Sequence, residues 1–263
     1  MASSKVRLDQ AVTDAGLVES RSRARAMILA GDVLVNGAAV LQAGKPIGTA
    51  DVVELRVKPK FVSRGGDKLD HALTVFDLDV TDFLCADLGA STGGFTDCLL
   101  QRGVAHITAI DVGYGQLDVR LRNDSRVTVV ERVNVRFPQV DLLDLDLVVI
   151  DVSFISLNLI FPTTVAALRN GGWCVPLIKP QFEVGKGEVG KGGVVRDTAT
   201  HRRVVERVLD EAEAHGLTAL DLTRSPVIGP AGNMEFLALL SRGSEIGRQD
   251  RVTLLEHAGL DND

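Results

Sequence analysis

The stretch Phe83-Leu84-Cys85-Ala86-Asp87-Leu88-Gly89-Ala90-Ser91-Thr92-Gly93-Gly94-Phe95 constrains this chain more than any other. An apolar run ends in an acid, a glycine-rich turn follows, and a helix-compatible segment opens at Phe95. That order is strand, tight loop, helix, the unit with which an open α/β sheet holds a nucleotide-like ligand at the carboxyl ends of its strands. Glycine has no Cβ, so the backbone of such a loop can approach the ligand closely. The next apolar run, His106-Ile107-Thr108-Ala109-Ile110-Asp111, ends in a second acid 22 residues after Gly89. A carboxylate at that distance suits ribose hydroxyls.

The glycines do not spell the dinucleotide fingerprint G-x-G-x-x-G, because Ser91 stands in its third position. The pattern present, D-x-G-x-x-x-G-G-F, resembles the first motif of the S-adenosylmethionine (SAM) methyltransferases. The resemblance implies SAM as cofactor. Asp87, Gly89, Ser91, Thr92, Gly93, Gly94 and Phe95 would hold its amino-acid end, and Asp111 its ribose.

Alternation of strands and helices continues past this loop. Val127–Val130 reads as a third strand, followed by Glu131-Arg132-Val133-Asn134-Val135-Arg136, a loop in which Asn134 would flank the adenine. Leu145–Asp151 reads as a fourth strand, again ending in an acid, and Gly172–Pro180 as a fifth that carries Lys179 near its end. Between them, Ile155–Leu168 is an amphipathic helix with Pro162 as a kink. Thr198–His215 is a helix, and strands follow near Leu217–Arg224 and Glu235–Ser241. The expected fold is therefore α/β and Rossmann-like, a mostly parallel seven-stranded sheet with an antiparallel last strand. The tail from Arg242 is polar and is expected to be loosely ordered. Gly185-Lys186-Gly187-Glu188-Val189-Gly190-Lys191-Gly192 nearly spells a phosphate loop. Gly192 replaces its magnesium-binding Ser or Thr and no strand leads into it, so a mobile substrate lid is the better reading.

A small α+β unit precedes this domain. Val6, Leu8, Ala11 and Val12 mark one helical face that stops at Gly16. Ser20 is a helix N-cap, Gly31 ends that helix, and Ala24, Met27 and Ile28 form its buried face. Val33-Leu34-Val35 and Asn36-Gly37 read as a strand and a hairpin turn, and Val52–Val57 closes a small sheet. The net charge of −6 is split: residues 1–60 hold nine Lys/Arg against six Asp/Glu, and the remainder 20 against 29. A basic front end on an acidic body points to a polyanion as its partner. Arg21 and Arg25 lie one helical turn apart, and Arg23, Lys5 and Arg7 add to the same basic front. Guanidinium forks suit phosphate oxygens. The order Arg7-Leu8-Asp9, Ser20-Arg21 and Gly31-Asp32-Val33-Leu34-Val35-Asn36-Gly37 resembles the ribosomal-protein-S4-like RNA-binding domain. The expected boundaries are residues 1–57 for this domain, 58–63 for a linker, 64–242 for the methyltransferase domain and 243–263 for the tail.

No apolar run reaches the roughly 18 residues that span a bilayer. The first residues lead into a charged segment without an apolar leader core, so a cytoplasmic location is expected. Cys85, Cys98 and Cys174 are odd in number and far apart, with no C-x-x-C pair, so neither a disulfide framework nor a metal site is expected.

Four residues carry the expected chemistry. Asp151 and Lys179 end neighbouring strands, and Glu235 opens the last strand, whose start shares their edge if it runs antiparallel. Lys68 lies on a helix before the first strand, in Ser63-Arg64-Gly65-Gly66-Asp67-Lys68-Leu69, which Asp67 would cap. The order K…D…K…E on a SAM fold resembles the RrmJ/FtsJ-type ribose 2'-O-methyltransferases. Asp151-Val152-Ser153-Phe154-Ile155-Ser156 and Lys179-Pro180-Gln181-Phe182-Glu183, with the front domain, extend the likeness to the TlyA (hemolysin A) family over nearly the whole chain. In place of the Arg and Trp frequent in that family's linker, this chain has Pro59-Lys60-Phe61. The resemblance implies methylation of cytidine ribose in 16S and 23S rRNA, with ribosomal RNA or subunits as partner and Arg64 among the RNA contacts. A neutral Lys179 would take the hydroxyl proton; alternatively, charged Lys179 and Lys68 would stabilise the developing alkoxide. A noncatalytic RNA-binding platform is the competing reading, against which the intact K-D-K-E order stands. A pore-forming protein lacks an amphipathic membrane segment here.

Overall fold

The computed structural model describes residues 5–18, 20–56, 60–137, 142–185, 189–190, 192–229, 232–244 and 247–261. The chain divides into two units, Met1–Pro59 and Lys60–Asp263. The last residue of the expected closing strand (57), part of the expected linker (58–59) and parts of the glycine-rich lid (186–188 and 191) lie outside the described residues, as do Pro230 and Ala231.

In the first unit, β1 (Val6–Arg7) leads into α1 (Leu8–Asp14), and α2 (Arg21–Leu29) follows. Val6 therefore belongs to a strand rather than to the helix, and pairs with Ile47 of β4 (Pro46–Ile47). Ser20 caps α2, its Oγ accepting the amide of Arg23. Gly31, at φ +79°, follows the helix end. The strands β2 (Val33–Val35), β3 (Ala38–Ala39) and β5 (Val53–Leu55) form a three-stranded antiparallel sheet. Its Asn36-Gly37 turn has both residues at positive φ, as a two-residue hairpin requires. Leu8, Val12, Ala24, Ile28, Val33 and Val35 form the core of this unit.

The second unit opens with α3 (Arg64–Val75), followed by β6 (Leu84–Leu88), α4 (Gly94–Gln101), β7 (His106–Asp111), α5 (Val119–Arg122) and β8 (Val127–Glu131). Then come β9 (Leu145–Ile150), a 3-10 turn at Leu157–Leu159, α6 (Phe161–Ala167), β10 (Leu168–Ile178) and α7 (Pro180–Glu183). The unit ends with α8 (Thr198–Ala214), β11 (Leu217–Arg224), β12 (Phe236–Arg242) and α9 (Arg251–His257). The seven strands lie in the order β11-β12-β10-β9-β6-β7-β8. All neighbours are parallel except that β12 runs antiparallel to β10 and β11. This is the expected α/β sheet. Successive residues of β9 serve opposite faces: Leu147 and Val149 enter one core cluster, Val148 and Ile150 the other. A sheet covered on both faces needs such uninterrupted apolar strands.

Three local expectations change. Pro162 occupies the first turn of α6, where its missing N–H costs nothing, so the segment from Ile155 is a turn and a short helix instead of one kinked helix. The helix α3 begins at Arg64 with extended Ser63 before it, which places Asp67 inside the first turn rather than at the cap. The tail is not loose: α9 packs on β11, burying Leu254, Leu255, Ala258 and Leu260.

Candidate active site

The sheet's winding reverses between β6 and β9, and the loops that leave these two strands meet there. Gly89, at φ +91°, permits the meeting: a Cβ on it would lie 2.6 Å from the carbonyl oxygen of Asp151. The start of α3 closes in from the other side. A Cβ on Gly94 would come within 2.9 Å of the Gly66 nitrogen, so glycine lets the first turns of α3 and α4 touch.

Asp87 is fully buried at the end of β6, and its Oδ2 accepts the amide (3.0 Å) and hydroxyl (2.7 Å) of Thr96. Its Oδ1 has no partner. Burial pushes the Asp87 carboxyl up to about 7 against the pull of the Thr96 bonds, with a further push from the Asp151 charge. A cavity of about 200 Å3 is lined by Asp87, Gly89, Ser91, Thr92, Gly94, Phe95 and Asp151, and on the α3 side by Ser63, Arg64, Gly65 and Lys68. A second cavity of about 470 Å3 shares Gly89, Ser91 and Asp151 with it. Asp111 and Asn134 line this second cavity, between Val112, Val133, Val135 and the exposed Phe154. Asp111 ties its rim together, accepting the amides of Ser91 (2.8 Å) and Gly113 (2.6 Å). A buried acceptor without a partner in one cavity, opening onto an acid between apolar walls, fits an amino acid joined to a nucleoside.

The antiparallel direction of β12 sets the remaining charges. Phe236 pairs with Ile178, so Glu235 and Lys179 lie at one edge. Lys179 Nζ is 2.6 Å from Asp151 Oδ1 and donates to Ser153 Oγ at 3.0 Å. Lys68 Nζ pairs with Glu235 Oε2. Both lysines and Glu235 are nearly buried, and each ammonium is matched to one carboxylate, as buried charges must be. Glu183 holds the Asp151 loop in place, accepting the amide of Leu157 (2.9 Å) and the hydroxyl of Ser156 (2.8 Å).

Of the residues expected at the site, Lys179 and Glu235 line neither cavity, and nor does Gly93. At φ +96° it starts α4, and a Cβ there would strike Leu121. Arg64 lines the first cavity. In the first unit Arg7, Arg21 and Arg25 gather around Asp9, whereas Arg23 and Lys5 are exposed outside that group. Sequence reading assigned no role to Ser63, Gly65, Ser153 and Glu183, although all four stand in the motifs quoted above, and it did not single out Gln116, which lines the second cavity.

A seven-stranded sheet of this order, with a glycine loop and two strand-end acids around a bipartite cavity, defines a SAM-dependent methyltransferase, and SAM is its cofactor. The FtsJ-like methyltransferase family matches residues 61–242, and the S4 domain matches residues 6–53. The 16S/23S rRNA (cytidine-2'-O)-methyltransferase TlyA of Mycobacterium tuberculosis is 45% identical over 243 residues, 90% of each chain. Hemolysin A of Brachyspira hyodysenteriae is 41% identical, over 89% of this chain and 98% of that one. A solved structure from Streptococcus thermophilus, described as a hemolysin, is 41% identical with a TM-score of 0.72, covering 97% of this chain and 94% of the other. The chain belongs to the FtsJ-like methyltransferase family, with an S4 domain in front. Among the described residues no helix is long and apolar enough to cross a membrane, and no His, Cys, Asp or Glu group could hold a metal ion.

Proposed function

We propose that this enzyme methylates the ribose 2'-hydroxyl of cytidine in ribosomal RNA of the small and large subunits, in the cytoplasm. The observation that carries the reading is the Lys179–Asp151 ion pair, whose carboxylate lines both cavities, beside the Lys68–Glu235 pair, whose lysine lines the first. Relatives bearing rRNA (cytidine-2'-O)-methyltransferase names support the substrate.

Asp87 would hold the cofactor's ammonium through its free Oδ1, and Asp111 its ribose hydroxyls, while Asn134 and the apolar walls flank the base. Bound there, SAM supplies an electrophilic methyl group on a sulfonium. A ribose hydroxyl is a weak nucleophile near neutral pH and must lose its proton as it attacks. Lys179, held at a fixed place by Asp151 and Ser153, would first give up its own proton to solvent and in that neutral form receive the hydroxyl proton; Asp151 then stabilises the ammonium restored. The Lys68 ammonium, steadied by Glu235, offsets negative charge that develops on the ribose oxygen. The basic first unit grips RNA through phosphates, which position the substrate without reading its sequence.

The test is transfer of labelled methyl from SAM into purified small and large ribosomal subunits, wild type against Lys179→Ala. Wild-type transfer with a loss of roughly a hundredfold or more in the variant, at nearly unchanged SAM affinity, is expected. Retained turnover in Lys179→Ala would remove the lysine from this role, and no transfer by the wild type would overturn the substrate assignment.

A further inference from the structure

Among the described residues of the first unit one carboxylate is nearly buried, that of Asp9, at 1% exposure, and it lies beneath arginines that remain about half exposed or more. Arg7 approaches it as a two-pronged fork, Nε to Oδ1 at 3.0 Å and Nη2 to Oδ2 at 2.7 Å. Arg21 Nη2 lies 3.4 Å from Oδ1, and Arg25 Nε 3.9 Å from Oδ2. One anion, on α1, thus faces three cations, Arg7 from β1 and Arg21 and Arg25 from α2. The Arg7 fork holds the carboxyl at about 2, so the charge is present at any ordinary pH.

The carboxylate is itself fixed in space. The Asp9 amide donates to the Ala43 carbonyl at 3.0 Å, and the Leu8 amide to Lys45 at 2.9 Å. Arg7 lies so close to Gly44 that a Cβ there would be 3.0 Å from its Nη1. A single arginine would satisfy a buried carboxylate. Bringing three onto it concentrates positive charge against mutual repulsion, and their side chains keep 52%, 51% and 65% of their surface for solvent. The remaining N–H groups of a guanidinium already held on one edge can bind a phosphate with less loss of side-chain freedom.

We propose that Asp9 is a positioning residue for RNA: it gathers Arg7, Arg21 and Arg25 into one phosphate-binding cluster, so removing its negative charge weakens binding to a polyanion. This rests on the reading that the enzyme acts on ribosomal RNA. The expected sign is opposite to that of simple electrostatics. Asp9→Asn removes one negative charge and so raises the net charge of the RNA-binding unit by one, and charge alone predicts tighter binding with a steeper salt dependence.

The experiment measures binding of the full-length protein to purified ribosomal subunits across a salt series, for wild type and Asp9→Asn. Roughly tenfold weaker binding of the variant is expected, with a shallower salt slope as the arginines no longer act together. SAM affinity, which reports on the second unit, should not change. Equal or tighter RNA binding by Asp9→Asn overturns the proposal, whereas a wild type that binds neither subunit overturns the underlying reading instead. A charge-preserving pair guards against loss of folding in Asp9→Asn. Arg7→Lys removes the fork and should weaken binding several-fold, while Arg56→Lys, at an exposed arginine of the same unit outside the cluster, should not. Equal effects of these two substitutions also overturn the proposal.

Discussion

Asp87 should make cofactor binding depend on pH, and the structure gives the size of the effect. In the cofactor-free protein its carboxyl is pushed up to about 7 by burial. The ammonium of the cofactor needs the ionised form at Oδ1, so affinity scales with the ionised fraction. Below pH 7 that fraction falls about tenfold per pH unit, and between about pH 8 and pH 6 affinity should fall roughly tenfold. Asp87→Asn preserves shape but removes both the charge and the titration. Isothermal titration calorimetry with SAM over this range, for both proteins, separates the Asp87 contribution from the ligand's own titration, which is common to both. Wild type should lose affinity on acidification relative to Asp87→Asn, and should release fewer protons on binding as the pH rises, because less of the Asp87 carboxyl is then protonated beforehand. The sign for folding follows from the same shift. A carboxyl raised from 3.8 to about 7 gives its stabilisation fully at low pH, and this is lost as the pH rises toward 7. SAM should therefore raise Tm more at pH 8 than at pH 6. Parallel pH profiles for wild type and Asp87→Asn would refute the reasoning.

Two further perturbations probe the scaffold. Gly89→Ala forces a Cβ into a left-handed backbone position and toward the Asp151 carbonyl, 2.6 Å away. A loss of about 1–3 kcal/mol in chemical denaturation is expected, with lower turnover because Asp151 holds Lys179. Leu255→Ala on α9 should cost about 2–5 kcal/mol, since that side chain is 1% exposed, whereas a loose tail would give a change near zero by the same denaturation measurement.

Much of the methyltransferase domain is legible in its sequence because its strands are buried on both faces. Continuous apolar runs such as Leu147–Ile150 mark β9 without ambiguity, and the glycine loop between β6 and α4 fixes where the sheet opens. The convergence of Lys179 and Glu235 follows once β12 is taken as antiparallel, and the register Ile178 to Phe236 bears this out. Less legible is whatever depends on long-range packing. The seven-residue α9 is too short to be stable alone; its Leu254, Leu255 and Ala258 form a helix because β11 is there to cover. Pro162 carries no label that says whether it kinks a helix or begins one. Asp9 reads as one more solvated acid in a charged segment, since only the fold brings Arg21 and Arg25 of a second helix over it.

The chemistry of the methylated position is the most direct test of the central claim. Ribosomal subunits labelled with methyl from SAM by this enzyme would be stripped to RNA and digested to completion in alkali. Alkaline cleavage needs a free 2'-hydroxyl, so a 2'-O-methyl blocks cleavage at its own linkage. The account predicts that the label appears in alkali-stable dinucleotides whose 5' residue is 2'-O-methylcytidine, and that Lys179→Ala yields none. Label released in mononucleotides would place the methyl on a base and contradict the account.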